Sequence, residues 1–290
     1  MFDVECVRRV PALLGESPVW SDGDQALYWV DIRGCAIHRF DPSTGRDVQW
    51  NLDENVGSIA LRKEGGAIIA TRSGFHFFDF KSGRSSPIAN PIAGRRNVRF
   101  NDGRCDRQGR FWSGTVSEDR VPGTAAIFCL DGDLTCTKKV EGLTVVNTIA
   151  WSPSGDRMYF GCSHERKIFV CDFDPDDANI SNQRVFLAFG EGDGAPDGAT
   201  VDEDGCLWVA HHDGAKVTRF RPDGDIDRII RTPVPRPSCP AFGGPDHDIL
   251  YVTSVCAGLD DRQLREAPLS GGLFAIGVGV RGLPEPQFIG

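Results

Sequence analysis

Short apolar segments recur along the chain at nearly even intervals, and each follows a polar turn. The six most apolar segments begin at residues 27, 67, 111, 158, 207 and 250, and read "LYWV", "AIIA", "FWSG", "MYFG", "LWVA" and "LYVT". The intervals between them are 40, 44, 47, 49 and 43 residues. Most are followed by a second apolar segment and another turn, as in "AIHRFDPSTG". The pattern predicts strand-turn-strand-turn units of about 45 residues.

Units of this length and content are typical of four-stranded propeller blades. Six of them predict an all-β fold, a six-bladed β-propeller that forms one domain over residues 1–290. A two-sheet sandwich with coincidental spacing is the alternative. Only residues 260–267, "DDRQLREA", have a helical pattern. Because a propeller must protect its sheet edges, we expect residues 3–10 to pair with the last blade.

Polar residues occupy the same position in four of the units, ten or eleven residues before the aromatic strand. They are Glu16, Asn101, Asn147 and Asp197. In a propeller, this position begins the innermost strand of a blade and faces the central channel. The other two units have Gly57-Ser58 and Cys239-Pro240 there, which leave room. We therefore expect the four side chains to converge at one end of the channel. Unrelated turn chemistry is the alternative, since Asn and Asp also favour turns for local reasons.

Two carboxylates and two amides supply oxygen ligands without imidazole or thiolate. Such a set suits one hard divalent cation, and favours calcium, magnesium or manganese before zinc. Zinc also accepts carboxylate oxygens in open catalytic sites. Without a cation, Glu16 and Asp197 would repel each other across a narrow channel. The pattern thus predicts a central metal site whose metal the sequence does not identify.

Composition and charge exclude several classes of function. The net charge is −9, from 32 basic and 41 acidic residues, so the basic surface of a nucleic-acid-binding protein is not expected. No segment approaches the ~18 apolar residues of a membrane helix, and the first residues do not resemble a signal peptide. The ten cysteines form no CxxC pair, which favours free thiols and a cytoplasmic location. We expect a monomer or a weak homo-oligomer.

Five segments together resemble the SMP-30/gluconolactonase/LRE (regucalcin-like) family. They read "LGESPVW…LYWVDI", "RFNDGRCDRQGRFWSGT", "NTIAWSPSGDRMYF", "PDGATVDEDGCLWVA" and "FGGPDHDILYVTS". The resemblance covers nearly the whole chain in the family's order. It implies a six-bladed propeller with one divalent metal in the channel, and an enzyme that opens the lactone ring of a sugar aldonolactone.

The resemblance also implies roles for individual residues. The metal ligands would be Glu16, Asn147 and Asp197, and Arg99 and Asn101 would contact the substrate. Glu118 matches a substrate-contacting acid in a loop that aligns less closely. The chain departs from the family pattern at Cys162-Ser163, where Asp often precedes Ser or Thr, and at Thr148, where glycine is common. Both departures affect the expected substrate more than the expected activity.

Lactone hydrolysis requires water to attack an ester carbonyl. Asp197 is the candidate general base, although it is equally consistent with a role as ligand alone. Arg99 is expected to donate hydrogen bonds to the substrate, with a salt bridge to Asp102 as the alternative. Asp102 itself is expected to orient Asn101 or Arg99.

A serine hydrolase is disfavoured, because the chain has no GxSxG motif and the six histidines lie away from the channel position. Two further functions stay open. One is a calcium-binding regulatory propeller without catalysis, and the other is a metal-dependent esterase or phosphotriesterase on the same fold.

Overall fold

The computed structural model describes residues 2–9 and 11–290. These residues form six antiparallel sheets, and each sheet contains four strands. Strand β1 (Glu5–Arg8) comes first in the chain and belongs to the last sheet. The next twenty strands follow in chain order and form five sheets of four strands each. The sixth sheet contains the last three strands of the chain together with β1.

The bounds of the strands are as follows. Blade 1 contains β2 (Gly15–Ser21), β3 (Ala26–Asp31), β4 (Ala36–Asp41) and β5 (Arg46–Asn51); blade 2 contains β6 (Val56–Leu61), β7 (Ala67–Thr71), β8 (Gly74–Asp79) and β9 (Arg84–Ala89). Blade 3 contains β10 (Val98–Cys105), β11 (Phe111–Ser117), β12 (Ala125–Leu130) and β13 (Cys136–Leu143); blade 4 contains β14 (Val146–Trp151), β15 (Arg157–Cys162), β16 (Lys167–Asp174) and β17 (Asn179–Ala188). Blade 5 contains β18 (Ala195–Val201), β19 (Leu207–His212), β20 (Lys216–Phe220) and β21 (Ile226–Arg231); blade 6 contains β22 (Pro237–Gly243), β23 (Ile249–Ser254) and β24 (Leu273–Gly277), with β1 outside.

The innermost strands of successive blades pack against one another, and β22 packs against β2, which closes the ring. These innermost strands are almost entirely buried, whereas outer strands such as β9 and β21 are largely exposed. Apolar clusters fill the space between neighbouring blades. The fold is the six-bladed β-propeller that the repeat spacing predicts, and each predicted aromatic segment forms the second strand of its blade.

Blade 6 is completed by β1, which pairs antiparallel with β24. Glu5 lies opposite Ala275 and Cys6 opposite Phe274. Ring closure by the first strand of the chain therefore confirms the predicted pairing, which the structure describes for residues 5–8.

A buried aspartate anchors the turn between the first two strands in blades 3 and 5. Asp106 accepts hydrogen bonds from the Trp112 indole (2.9 Å) and from Arg110 Nε (2.6 Å). Asp202 holds the indole of Trp208 in the same way (2.7 Å). In blades 3 and 5 the polar turn before the aromatic strand thus satisfies a buried indole nitrogen.

Helix α1 (Asp261–Glu266) falls within the predicted helical segment. The Asp260 side chain accepts from the Gln263 backbone N–H (2.8 Å), and the Gln263 side chain accepts from the Asp260 N–H (2.9 Å). This reciprocal capping explains why a short exposed helix begins there. Among the described residues, no helix is long and apolar enough to cross a membrane.

Residues 278–290, here called the closing segment, run across the end of the ring where the innermost strands finish. The backbone N–H of Phe288 donates to Leu61 in blade 2, and that of Gly282 donates to His247 in blade 6 (both 2.8 Å). From this segment, Glu285 forms an ion pair with Arg104 of β10. The closing segment therefore covers one end of the central channel.

The ten cysteines are all free thiols, as the scattered spacing predicts. Six of them are buried, and Cys239 lies on the innermost strand of blade 6. Burial raises the pKa of the Cys239 thiol well above its usual value, with a further contribution from Glu16, so this side chain is a neutral packing group.

Candidate active site

The open end of the channel contains a cavity of about 520 Å³, here called the axial cavity. Five predicted site residues line it, and they come from four different blades: Glu16, Arg99, Asn101, Asn147 and Asp197. Each is at most 8% exposed. The structure thus brings together the side chains that the repeat spacing places at one position, and the volume suits a small-molecule ligand.

A β-bulge lies at this position in each of the four blades. The register between the first and second strands shifts at Glu16–Val19, Phe100–Gly103, Asn147–Ala150 and Pro196–Ala199. A bulge adds an unpaired residue and redirects the side chains beside it. The bulges therefore explain why these polar side chains face the channel while the strands continue into an apolar core.

Glu16 is buried on the floor of the axial cavity. One of its carboxylate oxygens accepts from the Ser17 backbone N–H at 3.2 Å. Burial, followed by the negative charges of Asp197 and Asp102, raises the pKa of Glu16 well above its usual value. The floor of the cavity is thus a site where added positive charge would stabilise the ionised carboxylate.

Asn101 and Asn147 are joined by a hydrogen bond between blades 3 and 4. Asn101 Nδ2 donates to Asn147 Oδ1 at 2.8 Å and to the Val146 carbonyl at 2.9 Å. Asn147 Nδ2 in turn donates to Ser163 Oγ at 2.8 Å. The Asn147 amide is therefore held in one orientation, with its oxygen on the side of Asn101.

His212 also lines the axial cavity, and its Nδ1 lies 3.3 Å from Asp197 Oδ2. Among the described residues no histidine occupies the channel position of the innermost strands, as the sequence predicts, and His212 reaches the cavity from the end of the second strand instead. The residue ends β19, opposite Ala195, just before the innermost strand reaches Asp197. Its position in the sequence, at the end of the second strand, indicates this location, because the second strand runs antiparallel to the first and ends where the first begins.

Arg99 extends along the cavity wall. Its Nη1 donates to the Phe100 carbonyl and to Asn101 Oδ1, both at 2.9 Å, and its Nε lies 3.7 Å from Glu118 Oε1. Burial lowers the pKa of Arg99 to about 10. Phe100 points the other way and packs against Phe75, as strand alternation predicts.

Two further predicted site residues, Glu118 and Asp102, lie outside the wall of the axial cavity. Glu118 lies on the rim, where Arg72 donates to it at 2.7 Å. Asp102 is buried below the cavity and accepts from the Ile149 N–H at 2.8 Å. Burial raises the pKa of Asp102 to about 6. In the described chain, its carboxylate bonds neither Arg99 nor Asn101, so the expected contact with them is not found. Asp102 orients the backbone after the bulge instead.

The departures from the family pattern also have clear positions. Thr148 follows Asn147 with φ +60°, a left-handed conformation that favours glycine, and its hydroxyl donates to the Asp197 carbonyl. Cys162 is buried in the core, whereas Ser163 reaches the cavity and donates to the Pro196 carbonyl at 2.6 Å.

The cavity contains oxygen donors of the kind that hold a hard metal ion. Within residues 2–9 and 11–290 no group of three or more His, Cys, Asp or Glu side chains has a ligating arrangement. The predicted set is two carboxylates, Glu16 and Asp197, with the Asn147 amide oxygen. These donors fit a hard cation, because all are oxygens and the two buried carboxylates repel each other.

Four arginines around the opening were missed by the sequence analysis. We call them the rim arginines: Arg33, Arg120, Arg166 and Arg236. They come from loops, which strand periodicity does not address.

Comparison with known proteins identifies the family. A family model described as "SMP-30/Gluconolactonase/LRE-like region" matches residues 14–256. The chain belongs to this family. It is 36% identical to a 6-deoxy-6-sulfogluconolactonase of Pseudomonas putida, over 99% of both chains. It is also 36% identical to an L-arabinolactonase of Azospirillum brasilense, over 96% of this chain and 92% of the relative.

A crystal structure of a calcium-binding protein, regucalcin, from Agrobacterium tumefaciens has the same fold. It superimposes with a TM-score of 0.95 at 27% identity, and the match covers 99% of this chain and 97% of that one. The family membership that the five sequence segments indicate is thus confirmed, as is the propeller.

Proposed function

We propose that this protein is a metal-dependent hydrolase that opens the ring of a sugar lactone to give the aldonic acid. One observation carries the proposal: two buried carboxylates, Glu16 and Asp197, share a cavity of about 520 Å³ with Arg99 and Asn101. Acid groups that suit a cation thus lie beside neutral and basic groups that suit a polyhydroxylated substrate. The names of two relatives, a sulfogluconolactonase and an arabinolactonase, support the same class of reaction.

Glu16, Asn147 and Asp197 would hold one divalent cation, either calcium, magnesium, manganese or zinc. Such a cation supplies positive charge that polarises the lactone carbonyl. The calcium-binding protein with the same fold supports a divalent cation. The Asn101–Asn147–Ser163 hydrogen bonds keep the Asn147 oxygen available at the cavity.

The remaining steps belong to side chains of the protein. Asp197 takes a proton from the attacking water as the water oxygen bonds to the carbonyl carbon. The bond from that carbon to the ring oxygen then breaks, and Asp197 returns the proton to the ring oxygen, which leaves as a hydroxyl. His212 orients the Asp197 carboxylate. Arg99 and Asn101 donate hydrogen bonds to substrate oxygens, and Glu118 positions Arg99 from the rim.

A lactone panel on metal-stripped protein, with single metals added back, tests this function. We expect hydrolysis of aldonolactones only after a divalent metal is added, and a loss of at least 100-fold in kcat for Asp197→Asn. Asp53→Asn, at an exposed aspartate outside the cavity, is the matched control. Full activity of the stripped protein would contradict the metal requirement.

The same preparations distinguish the two alternative functions. Faster hydrolysis of aryl esters or phosphotriesters than of any lactone would favour the esterase. Tight calcium binding with no hydrolysis of any of these substrates would favour the regulatory propeller.

We further propose that the protein works in a reducing compartment such as the cytoplasm, because ten free thiols are stable there. We propose a single domain over residues 1–290 that acts as a monomer or weak homo-oligomer. Size-exclusion chromatography with light scattering measures that state.

A further inference from the structure

The opening of the axial cavity is strongly basic although the protein as a whole is acidic. Five arginines line the cavity, the rim arginines and Arg99, against two carboxylates, Glu16 and Asp197. The whole chain has a net charge of −9. A positively charged cavity attracts anions and raises their local concentration, even on a protein whose net charge is negative.

The arginines come from equivalent places in successive blades. Arg33, Arg72, Arg120 and Arg166 each follow the second strand of blades 1 to 4, in the loop that returns to the open end of the channel. Arg72 forms an ion pair with Glu118 (2.7 Å), and the other three line the cavity. A ring of four loops thus directs guanidinium groups towards one opening.

The carboxylates on the cavity floor do not account for these charges. Glu16 accepts from a backbone N–H, and Asp197 lies next to His212. In the described part of the chain, neither carboxylate forms a salt bridge with an arginine. The rim arginines therefore do not neutralise the carboxylates of the cavity floor.

The rim arginines differ in how they are held. Arg166 donates to the Gly194 carbonyl at 2.8 Å, and Arg236 pairs with Asp213 at 2.6 Å. Arg33 and Arg120 are exposed, and within residues 2–9 and 11–290 their guanidinium groups have no hydrogen-bond partner. These two also lie near the buried Arg99, whose pKa their charges help to lower. Mutual repulsion of this kind is relieved when an anion binds between the groups.

We propose that the substrate is an anionic lactone, with a phosphate, sulfonate or carboxylate group on the part of the sugar farthest from the ring carbonyl, and that Arg33 and Arg120 bind this group. This inference rests on the proposed lactonase activity and adds the substrate class. The lactone carbonyl faces Asp197 on the floor, and the anionic group lies at the rim. Guanidinium groups suit such anions, because they donate two parallel hydrogen bonds.

Paired substrates test the inference. Glucono-1,5-lactone is compared with its 6-phosphate, with a 6-sulfonate analogue and with a 6-carboxylate analogue, on metal-loaded wild-type protein. We expect kcat/KM to be at least tenfold higher for one or more of the anionic lactones than for the neutral one. The three anions distinguish a general anion site, which accepts all of them, from one shaped for a single group.

Substitutions locate the effect. Arg33→Gln and Arg120→Gln should each lower the anionic-to-neutral ratio of kcat/KM by about 3- to 10-fold, mainly through a higher KM for the anionic lactone. The double variant should bring the ratio near one. Arg84→Gln, an exposed arginine on β9, is the matched control and should leave the ratio as in wild type. A wild-type ratio of one or less, or a ratio that survives the double variant, overturns the inference.

If the wild-type protein opens no lactone, the proposed function is wrong, and the anion site is then tested by measuring ligand binding. Calorimetry then compares 6-phosphogluconate with gluconate. Tighter binding of the phosphate, lost in the double variant, supports the anion site, whereas equal binding of the two acids overturns it.

Discussion

The side-chain amide of Asn101 donates to the side-chain oxygen of Asn147 at 2.8 Å and so joins the innermost strands of blades 3 and 4. Both residues lie at β-bulges, and both face the axial cavity. One amide thus fixes the orientation of the other. The pairing gives Asn101 a role in presenting the Asn147 oxygen, in addition to any contact with substrate.

Asn101→Ala should therefore weaken metal binding although Asn101 is not a proposed ligand. Without Asn101, only the hydrogen bond to Ser163 Oγ holds the Asn147 amide, and we expect about a tenfold loss of calcium affinity, the scale typical of residues that orient ligands. Calorimetric titration of the stripped protein measures it. Asn97→Ala removes an exposed asparagine outside the cavity and is the control. Equal affinity in Asn101→Ala and wild type would contradict the prediction.

Arg99→Ala should reduce kcat/KM for a lactone by roughly 10- to 100-fold, the scale of one or two charge-assisted hydrogen bonds. Metal content should stay near that of wild type, because arginine does not ligate a cation. Steady-state kinetics, metal analysis and a melt on one preparation check this. Arg96→Ala, at a nearby exposed position, is the control. A less stable Arg99→Ala protein with wild-type kcat/KM would instead mean that Arg99 only stabilises the wall.

Two substitutions at Thr148 distinguish what its hydroxyl contributes to stability from what its backbone conformation costs. Both Thr148→Gly and Thr148→Ala remove the hydrogen bond to the Asp197 carbonyl. Only glycine relieves the strain of φ +60°. We expect Thr148→Gly to be more stable than Thr148→Ala by about 1 kcal/mol in urea unfolding. Equal stability of the two would show that the bulge relaxes around the side chain.

Removal of residues 1–10 should strongly destabilise the protein. It deletes β1 and exposes the hydrogen-bonding edge of β24, and it uncovers apolar side chains of blade 6 that Phe2, Val4 and Cys6 contact. We expect the free energy of unfolding to fall by roughly 3–5 kcal/mol. Thermal melting measures the change, and Leu264→Ala on the exposed helix α1 is a control of small effect. An unchanged melting temperature would contradict a stabilising role for β1.

His211 should make the protein less stable in mild acid. Its Nδ1 lies 2.8 Å from the Asp193 carbonyl oxygen, and burial lowers its pKa to about 4. An unfolded histidine titrates near 6.5, so between these two values the unfolded chain binds the additional proton. This contribution to stability is complete above about pH 6.5 and is lost as the pH falls towards 4.

His211→Asn removes the titration and retains a side-chain N–H for the Asp193 carbonyl. Between pH 7 and 4, wild type should lose up to about 3 kcal/mol more than the variant. Urea unfolding at several pH values measures this difference. Parallel pH profiles for the two proteins would show that His211 does not cause the acid sensitivity.

Most of the fold could be predicted from the sequence, because its strands are short, apolar and regularly spaced. The segment "LYWV" lies within β3 and "LWVA" within β19, and both are second strands of their blades. In blades 3 and 5 an aspartate of the preceding turn accepts from the indole of the aromatic strand, so the turn and the tryptophan occur together there. The β-bulges could not be predicted, because the innermost strands are buried on both faces, and an additional residue there does not interrupt a visible apolar-polar alternation.

The floor of the cavity could be predicted and its rim could not. Glu16 and Asp197 lie on strands, where a repeat position specifies a direction in space. Arg33 and Arg120 lie in loops of different length, so the regular spacing of the strands does not predict where their side chains lie. His212 was missed for a related reason: the second strand, not the first, delivers it to the site.

The closing segment has a consequence for turnover. Since residues 278–290 cover one end of the channel, the product of the proposed reaction would leave through the opening by which the next lactone enters. The released acid would carry a new carboxylate past the rim arginines and would be retained longer than an uncharged molecule. The proposed lactonase should therefore show competitive product inhibition, with a rate at high conversion that depends on how fast the acid leaves.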